Sequence, residues 1–556
     1  MAMKNILYQH QNRMLTALNI CRSWFSISLL IPIICATEGK GPREPRLRDR
    51  GAATNQIFRN HDQRNEYVNN FIVEMDKAGY EVRTGDFEIF STETCKLPKN
   101  AFYCLGNNPN SPYAASNIPV IPNQVPFSYG TRMREDEAIV LIGVTPPLAK
   151  YFGFTFYYNN VEYNVGDSNG GYGKGVPTLK EPEDGRSHIQ ASLEDPINPS
   201  NMNVTSDGSY EDAFNKDFVL IATPDQTIVS IIKDQLVNLG VPDNIFNVQG
   251  LPNEIIDFGI EEKHDVVSPL FRMAFFDDED DMNYYLRSIP WSLLRITPKV
   301  STKETIPFDR KVRNVRSANA TTQEYLRPSM NQLVREIRKE IGRDGLEARS
   351  LAVEADPDRC IDERTKCFFE NTDSAYFNNF PGRLFQEYGH FVVVGVNNVE
   401  AGYARYSSVT LYGARDFISV GSFTSAGDMK GSVDRYIPDD PLKDNFYAMH
   451  FKRNCTGMEY CIDVPLEGEG SLMTRDTQIF MDRAYMFPNG TNGPDPAKML
   501  PFRVIYIEER PLSSKVSLGK ERFSEIRKRL FPPTDNINTT VQVEGQNVPY
   551  PPYPIG

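Results

Sequence analysis

The sequence has few of the residues on which common metallohydrolases depend. Histidine occurs six times among 556 residues, and no HExxH or His-x-His spacing is present. Cysteine occurs eight times, and no two cysteines have the two-to-four-residue separation that is typical of zinc ligands. The sequence therefore argues against a zinc hydrolase of the common motif types.

Positive charge is also in deficit. Sixty Lys and Arg residues stand against 73 Asp and Glu residues, which gives a net charge of -13 and argues against nucleic acid as a partner. A chain with 40% hydrophobic and 24% charged residues has the composition of a globular protein. Its length exceeds the roughly 250–300 residues at which a single core stops growing, so we expect two packed units.

The N-terminal apolar run is too short for a membrane span. Residues 1–36 carry Lys4, Arg13 and Arg22 without an acidic residue, and a run of about twelve mostly apolar residues follows at 24–35. A spanning helix needs about 20 residues, so the pattern predicts a cleaved signal peptide and no stable membrane insertion after cleavage. The long charged part leaves a signal anchor or a transit peptide open as alternatives.

The cysteine pattern predicts local disulfides. Cleavage near Ala36 would remove Cys21 and Cys35 and leave six cysteines. These six fall into three close pairs: Cys95 and Cys104, Cys360 and Cys367, and Cys455 and Cys461. Paired in this way, each bond would stabilise the fold by about 2–3 kcal/mol on the chain-entropy model. The alternative is six unrelated buried thiols.

Five sequons also suit a secretory route, since each has the Asn-x-Thr pattern of an N-glycosylation acceptor. They lie at Asn203, Asn319, Asn454, Asn489 and Asn538. A chain of this length and composition would contain about that many by chance, so the sequons permit glycosylation without proving it. The clustered cysteines carry more of the case for an oxidising compartment.

Hydrophobic periodicity predicts an α+β protein, with an α/β-like N-terminal unit and a mostly antiparallel β unit that has one or two helices. In the first half, an apolar run at 217–222 precedes a helical pattern that Gly240 ends, as in a strand followed by a helix. In the second half, a helical pattern at 329–341 precedes several runs that alternate apolar and polar residues, as half-buried antiparallel strands do.

Composition then sets the predicted boundaries. Residues 299–323 are polar, basic and without periodicity, which indicates a linker. The predicted segments are a signal peptide (1–36), a flexible leader (37–54), an α/β domain (55–298), the linker (299–323), a β-rich domain (324–530) and a Pro-rich disordered tail (531–556).

One glycine-rich segment resembles a catalytic motif. Residues 166–170, Gly-Asp-Ser-Asn-Gly, have the spacing of a nucleophile elbow, in which glycines permit the strained turn that exposes Ser168. The Gly- and Pro-rich residues 171–177 argue against the helix that should follow. With His188 or His264 as the base, this segment gives the alternative of a secreted serine-type hydrolase; otherwise it is a surface loop.

Clustered carboxylates give one candidate metal site. Asp356, Asp358 and Asp362 surround Cys360, and calcium requires several such oxygens at close range. The glycine and glutamate of a helix-loop-helix calcium site are absent at the right offsets, so these side chains could equally solvate a disulfide loop.

Together these patterns predict a secreted, disulfide-stabilised glycoprotein with a binding or extracellular-matrix role, in contact with a surface or matrix ligand. Calcium is the one cofactor that the sequence suggests. Catalytic activity is left open, because no catalytic motif is complete.

Overall fold

The computed structural model describes residues 56–91, 94, 106–127, 129–162, 186–205, 208–301, 304–316, 320–341, 345–353, 355–365, 367–414, 417–467 and 471–508. All of them belong to one compact unit of the chain. The predicted signal peptide, leader and Pro-rich tail lie outside these residues. No helix within the described ranges is both long enough and apolar enough to cross a membrane.

The described residues form five α-helices and nineteen β-strands. The helices are α1 (His61–Lys77), α2 (Gln226–Asn238), α3 (Glu279–Arg287), α4 (Arg327–Ile341) and α5 (Pro357–Glu363). The strands of the first half are β1 (Tyr80–Phe90), β2 (Tyr113–Asn117), β3 (Ala138–Val144), β4 (Ala149–Glu162), β5 (Arg186–Ser192), β6 (Asp217–Thr223), β7 (Phe246–Gly250), β8 (Val266–Phe276) and β9 (Trp291–Pro298). Those of the second half are β10 (Leu346–Arg349), β11 (Leu351–Ala352), β12 (Ser374–Asn379), β13 (Gly389–Val396), β14 (Tyr406–Gly413), β15 (Ser419–Thr424), β16 (Phe446–Lys452), β17 (Cys461–Asp463), β18 (Gln478–Tyr485) and β19 (Arg503–Glu508).

The first half forms one nine-stranded sheet, the curled sheet, in the order β5-β4-β8-β2-β1-β9-β3-β6-β7. Its long strand β1 pairs with β9 through residues 80–85 and with β2 through residues 86–90, so the sheet bends at this strand. The inside of the bend is filled by aromatic rings, with Phe154 4.9 Å from Phe271 and 5.4 Å from Trp291 between centroids. This aromatic core fixes which side chains of β4 and β8 point outward.

One strand–helix–strand unit interrupts the antiparallel pattern. The side chain of Asp225 caps α2 by accepting from Thr227 N at 2.9 Å, and Gly240 ends the helix region with a φ of +92°. The chain then returns as β7, which is parallel to β6. The structure therefore contains the strand followed by a helix that the sequence predicts here.

The second half is a two-sheet sandwich. The helix-covered sheet has the order β10-β19-β13-β16-β17, and the middle sheet has the order β11-β12-β18-β14-β15. Phe391 and Phe451 of the helix-covered sheet pack on Phe480 of the middle sheet, at 5.5 and 5.2 Å between ring centroids. Helix α4 buries its apolar face, including Leu333, on the opposite face of the helix-covered sheet.

These sheets confirm the predicted α+β class with mostly antiparallel strands. The division at residues 299–323 stays a prediction, and the described part of that segment is bound to its surroundings. Ile306 N donates to the carboxylate of Asp225 at 3.0 Å, and Arg313 Nε pairs with Asp358 at 3.0 Å. This segment therefore contacts α5 of the second half as well as the α2 cap of the first.

Candidate functional site

Two polar sheet faces meet between the halves. The outer face of the curled sheet, at β4 and β8, lies against the face of the middle sheet that points away from the sandwich core. The ring of Tyr151 is 5.1 Å from that of Tyr485, and the Tyr412 hydroxyl donates to the Asn107 carbonyl at 2.6 Å. The side chains at this contact form what we name the Arg–Tyr cluster, each at most 4% exposed: Tyr113, Tyr151, Tyr157, Arg272, Tyr376, Tyr412, Arg483 and Tyr485.

Strand alternation places both arginines in the cluster. Successive side chains of a strand point to opposite faces of its sheet. Phe271 of β8 points into the aromatic core of the curl, so Arg272 points outward. Ala484 of β18 packs in the sandwich core, so Arg483 points toward the curled sheet.

Arg272 is held by neutral partners. Its Nη1 donates to the Tyr157 hydroxyl at 2.5 Å, and its Nη2 donates to the Phe369 carbonyl at 2.7 Å. Its guanidinium carbon lies 5.6 Å from the ring centroid of Tyr113 and 5.4 Å from that of Tyr157. The Nε–H group has no hydrogen-bond partner among the described residues.

Arg483 has the same kind of surroundings. Its Nη1 donates to the Tyr412 hydroxyl at 2.7 Å, and its Nη2 donates to the Gly106 carbonyl. The rings of Tyr376 and Tyr412 lie 5.9 and 5.4 Å from the guanidinium carbon. Its Nε–H group also lacks a hydrogen-bond partner within the described part of the chain.

Neither arginine has a counter-ion among the described residues. No described carboxylate oxygen lies within 4.0 Å of Arg272 or Arg483, whereas the equally buried Arg295 pairs with Glu137 at 2.6 Å. The Nε of Arg295 also lacks a partner among the described residues, so the missing counter-ion distinguishes the two cluster arginines from Arg295. Arg64, which is 4% exposed and donates to the Phe58 carbonyl, likewise has no described ion pair, but it lies outside the cluster. Burying an unpaired charge costs several kcal/mol, so two such arginines at one sheet contact need an explanation.

Other buried polar atoms at the same contact also have no hydrogen-bond partner in the described ranges. Almost all buried polar groups in proteins are paired with protein or water, so each exception needs a reason. On the strands and loop that border the cluster they include Thr155 Oγ1, Glu370 Oε2, both amide atoms of Asn378 and the Tyr485 hydroxyl. These atoms and the two Nε–H groups leave hydrogen-bonding capacity for a bound molecule or for water.

The two nearby acids do not replace the counter-ion. Asp373 accepts from the Tyr151 hydroxyl at 2.9 Å and from Asn198 at 3.0 Å. Burial raises the pKa of Asp373 to about 8, so this carboxyl is mostly neutral at pH 7. Glu370 accepts from Ser192 N at 2.9 Å, and burial raises its pKa as well.

The loop that reaches Arg272 has unusual backbone angles. Phe368 and Phe369 both have a φ of 56°, and Gln190, whose carbonyl accepts from Phe369 N at 2.8 Å, has a φ of 55°. Residues other than glycine rarely adopt this left-handed region, and such outliers concentrate at functional sites. Here they direct the Phe369 carbonyl at Arg272.

A second buried polar group lies under α4. His390 Nε2 is 2.7 Å from His450 Nδ1, and His450 Nε2 is 3.0 Å from the Tyr436 hydroxyl. Burial, aided by the charges of His390 and Arg435, lowers the pKa of His450 to about 3. Arg435 Nη2 lies 3.3 Å from His450 Nε2, and because guanidinium is only a donor, the ring nitrogen acts as the acceptor.

The predicted serine site is not tested. Ser168 lies outside the described residues, and His188 lies in β5 in a part of the strand whose side chains are not described. His264 sits in a loop, where its Nδ1 accepts from Glu261 N at 3.2 Å. The hydrolase alternative stays a prediction.

The predicted calcium site gains no support. Asp356 caps α5 by accepting from Asp358 N at 3.1 Å. Arg310 pairs with Asp358 at 2.9 Å and with Asp362 at 2.7 Å, so arginine cations already neutralise these carboxylates. Within the part of the chain that the structure describes, no three His, Cys, Asp or Glu side chains gather as metal ligands.

Two of the three predicted disulfides are present. Cys360 is bonded to Cys367, and Cys455 is bonded to Cys461. The predicted Cys95–Cys104 pair lies outside the described residues. The sequon residues Asn203, Asn454 and Asn489 are exposed, and Asn319 and Asn538 lie outside the described ranges, so glycosylation stays a prediction.

The sequence analysis missed both cluster arginines. Each interrupts an apolar strand, Leu-Phe-Arg-Met-Ala-Phe-Phe at 270–276 and Ile-Phe-Met-Asp-Arg-Ala-Tyr at 479–485. A charged residue inside a buried strand was the available signal. Whether Arg272 and Arg483 contact the same tyrosines depends on how the sheets pack. Neither strand sequence shows that packing.

The comparisons with known proteins give no family. No family model and no curated protein matches the chain. A crystal structure of an uncharacterized protein from Burkholderia cenocepacia matches with 12% identity and a TM-score of 0.34, covering 81% of this chain and 90% of that one. What the structure itself defines is a disulfide-bonded α+β protein with a buried, positively charged cluster between two sheets.

Proposed function

We propose that this protein binds a small ligand in the Arg–Tyr cluster, as a disulfide-stabilised binding protein of an oxidising, extracellular environment. One observation carries the binding role: buried polar atoms without partners, from both the curled and the middle sheet, border one cluster. Recognition sites combine aromatic walls with a few polar groups that fix orientation, and tyrosine and arginine suit both tasks.

The burial of the cluster predicts how the ligand behaves. Its eight side chains are almost fully shielded from solvent, so a molecule bound among them would be enclosed by the two sheets. Such a ligand should leave slowly and remain with the protein during purification.

Release of the ligand on unfolding tests the binding role. The full chain, purified from its native source and desalted, is denatured, and the released small molecules are measured by mass spectrometry. We expect one compound near equimolar amounts, and a much smaller amount from an Arg272→Met, Arg483→Met variant made in the same cells. Wild-type protein that releases no small molecule would contradict a ligand-binding function.

The proposal of an extracellular location depends on the disulfides, since such bonds persist mainly in oxidising environments. Two are present, Cys360–Cys367 and Cys455–Cys461. Peptide mapping with and without reductant, on protein from the native source, tests this part. A chain that starts near Thr37 with three local disulfides supports secretion, whereas a retained Met1 with free thiols overturns it.

A further inference from the structure

We propose that the ligand carries an oxyanion group, a carboxylate or a phosphate, that binds to the guanidinium groups of Arg272 and Arg483. This inference rests on the proposed binding function and adds the charge of the ligand. Its basis is the contrast between these arginines and Arg295, whose buried charge is neutralised by Glu137.

The guanidinium groups of Arg272 and Arg483 lie in the same buried region. Arg272 and Arg483 come from different sheets, yet Tyr113 and Tyr376 lie near both guanidinium groups. Two like charges in one buried region repel each other and have also lost their hydration. An anion in this region would relieve both costs, whereas a neutral acceptor would replace only part of the lost hydration.

No described carboxylate pairs directly with either guanidinium. Burial keeps the Asp373 carboxyl largely neutral at pH 7. Glu370 accepts from Ser192 N and interacts electrostatically with Arg272, but it lies more than 4.0 Å from both guanidinium groups, and burial raises its pKa. Burial also raises the pKa of Tyr157 and Tyr412, so their hydroxyls stay protonated and act as neutral hydrogen-bond acceptors for the arginines.

The free donors have the right chemistry for an oxyanion. Each arginine uses both terminal nitrogens for neutral oxygens and keeps its Nε–H group unpartnered. Guanidinium N–H groups bind carboxylate and phosphate oxygens with short, charge-assisted hydrogen bonds. The Tyr485 hydroxyl, which is buried and unpartnered, is a further neutral donor at the same cluster.

Equilibrium refolding from urea tests the inference on protein that has been stripped of any bound molecule. The full chain is unfolded with its disulfides intact and refolded in sodium phosphate, sodium acetate or sodium chloride at equal ionic strength. We expect phosphate or acetate to raise the urea midpoint above that in chloride, by roughly 0.5 M at a hundred times the dissociation constant. A larger shift of the urea midpoint in phosphate indicates a phosphate ligand, and a larger shift in acetate indicates a carboxylate ligand.

Matched variants assign the effect to the cluster. Arg272→Met and Arg483→Met should lose the anion-dependent shift, and Arg359→Met, at an exposed arginine on α5, should keep it. If a Met variant does not refold, Arg272→Lys serves instead, and it should need at least tenfold more anion because lysine lacks the planar fork.

The outcomes separate the two proposals. Equal wild-type midpoints in all three salts, or an unchanged shift in the cluster variants, overturn the anion inference. If the native protein still releases an equimolar neutral compound, the binding function stands and only the charge is wrong. If it releases nothing, the binding function fails as well.

Discussion

Arg295 and Glu137 form an ion pair of 2.6 Å in which both side chains are at most 1% exposed. The pair is part of a network, since the Thr297 hydroxyl also donates to Glu137 at 2.6 Å. In this pair the chain itself neutralises a buried arginine. Arg272 and Arg483 have no such carboxylate partner among the described residues.

Removing the partner of Arg295 should be costly. Glu137→Gln leaves a buried guanidinium without a counter-ion, so we expect the free energy of unfolding to fall by about 3 kcal/mol in urea titrations. Glu363→Gln is the control, because its pair with Arg359 is exposed and should contribute less than about 1 kcal/mol. Similar losses in both variants would contradict the role assigned to burial.

Asp482 should make the protein less stable as pH rises. Burial in the sandwich core raises its pKa to about 7, whereas an unfolded aspartate ionises near 3.9. Between these values the folded state holds a proton that the unfolded state has lost, so stability falls by up to about 1.4 kcal/mol per pH unit and levels off above pH 7.

The Asp482→Asn variant isolates this dependence. Its stability relative to the wild type should increase from pH 4 to pH 7, as measured by urea midpoints across that range. Asp234→Asn, at an exposed position on α2, should follow the wild-type curve. A constant difference between Asp482→Asn and the wild type would show that the carboxyl is ionised throughout.

His450 should make the protein less stable as pH falls, which is opposite to the effect of Asp482. Its folded pKa is about 3, and an unfolded histidine titrates near 6.5. Below pH 6.5 the unfolded state binds a proton that the folded state does not, so stability falls as pH decreases toward 3. His450→Gln removes this loss, so its stability relative to the wild type should rise on acidification.

The exposed His61 provides the control for this measurement. His61→Gln on α1 should track the wild type between pH 6.5 and pH 4. If the stability of His450→Gln also follows that of the wild type over this pH range, the fold does not hold His450 neutral.

The Cys360–Cys367 disulfide should stabilise the protein more than the length of its short loop predicts. The loop-closure entropy predicts about 2–3 kcal/mol for either described disulfide. Cys360 and Cys367 are also buried beside β5, where Cys367 N donates to the Ile189 carbonyl at 2.7 Å. We expect Cys360→Ala, Cys367→Ala to lower the thermal midpoint more than Cys455→Ala, Cys461→Ala, and the reverse order would contradict this.

Local sequence patterns predicted helices and strands because each of these elements is determined largely by residues that are close in sequence. The helix of residues 329–341 is seen as α4, and the run at 217–222 as β6. Both follow from the spacing of hydrophobic residues within a short stretch of chain.

The site could not be predicted in this way because it depends on partners far apart in the chain. Counting carboxylates around Cys360 suggested calcium, but Arg310, some fifty residues earlier, pairs with Asp358 and Asp362. In the same way, Arg272 and Arg483 become candidate ligand-binding residues only when two sheet faces bury them without a described counter-ion.

The most direct test is anomalous diffraction from crystals of the full chain, refolded from urea and grown with sodium selenate, an oxyanion with a strong selenium signal. We predict a selenium peak beside the Nε atoms of Arg272 and Arg483, and its loss in Arg272→Met crystals grown in the same way. A wild-type map with only water at both Nε atoms would contradict anion binding at the Arg–Tyr cluster.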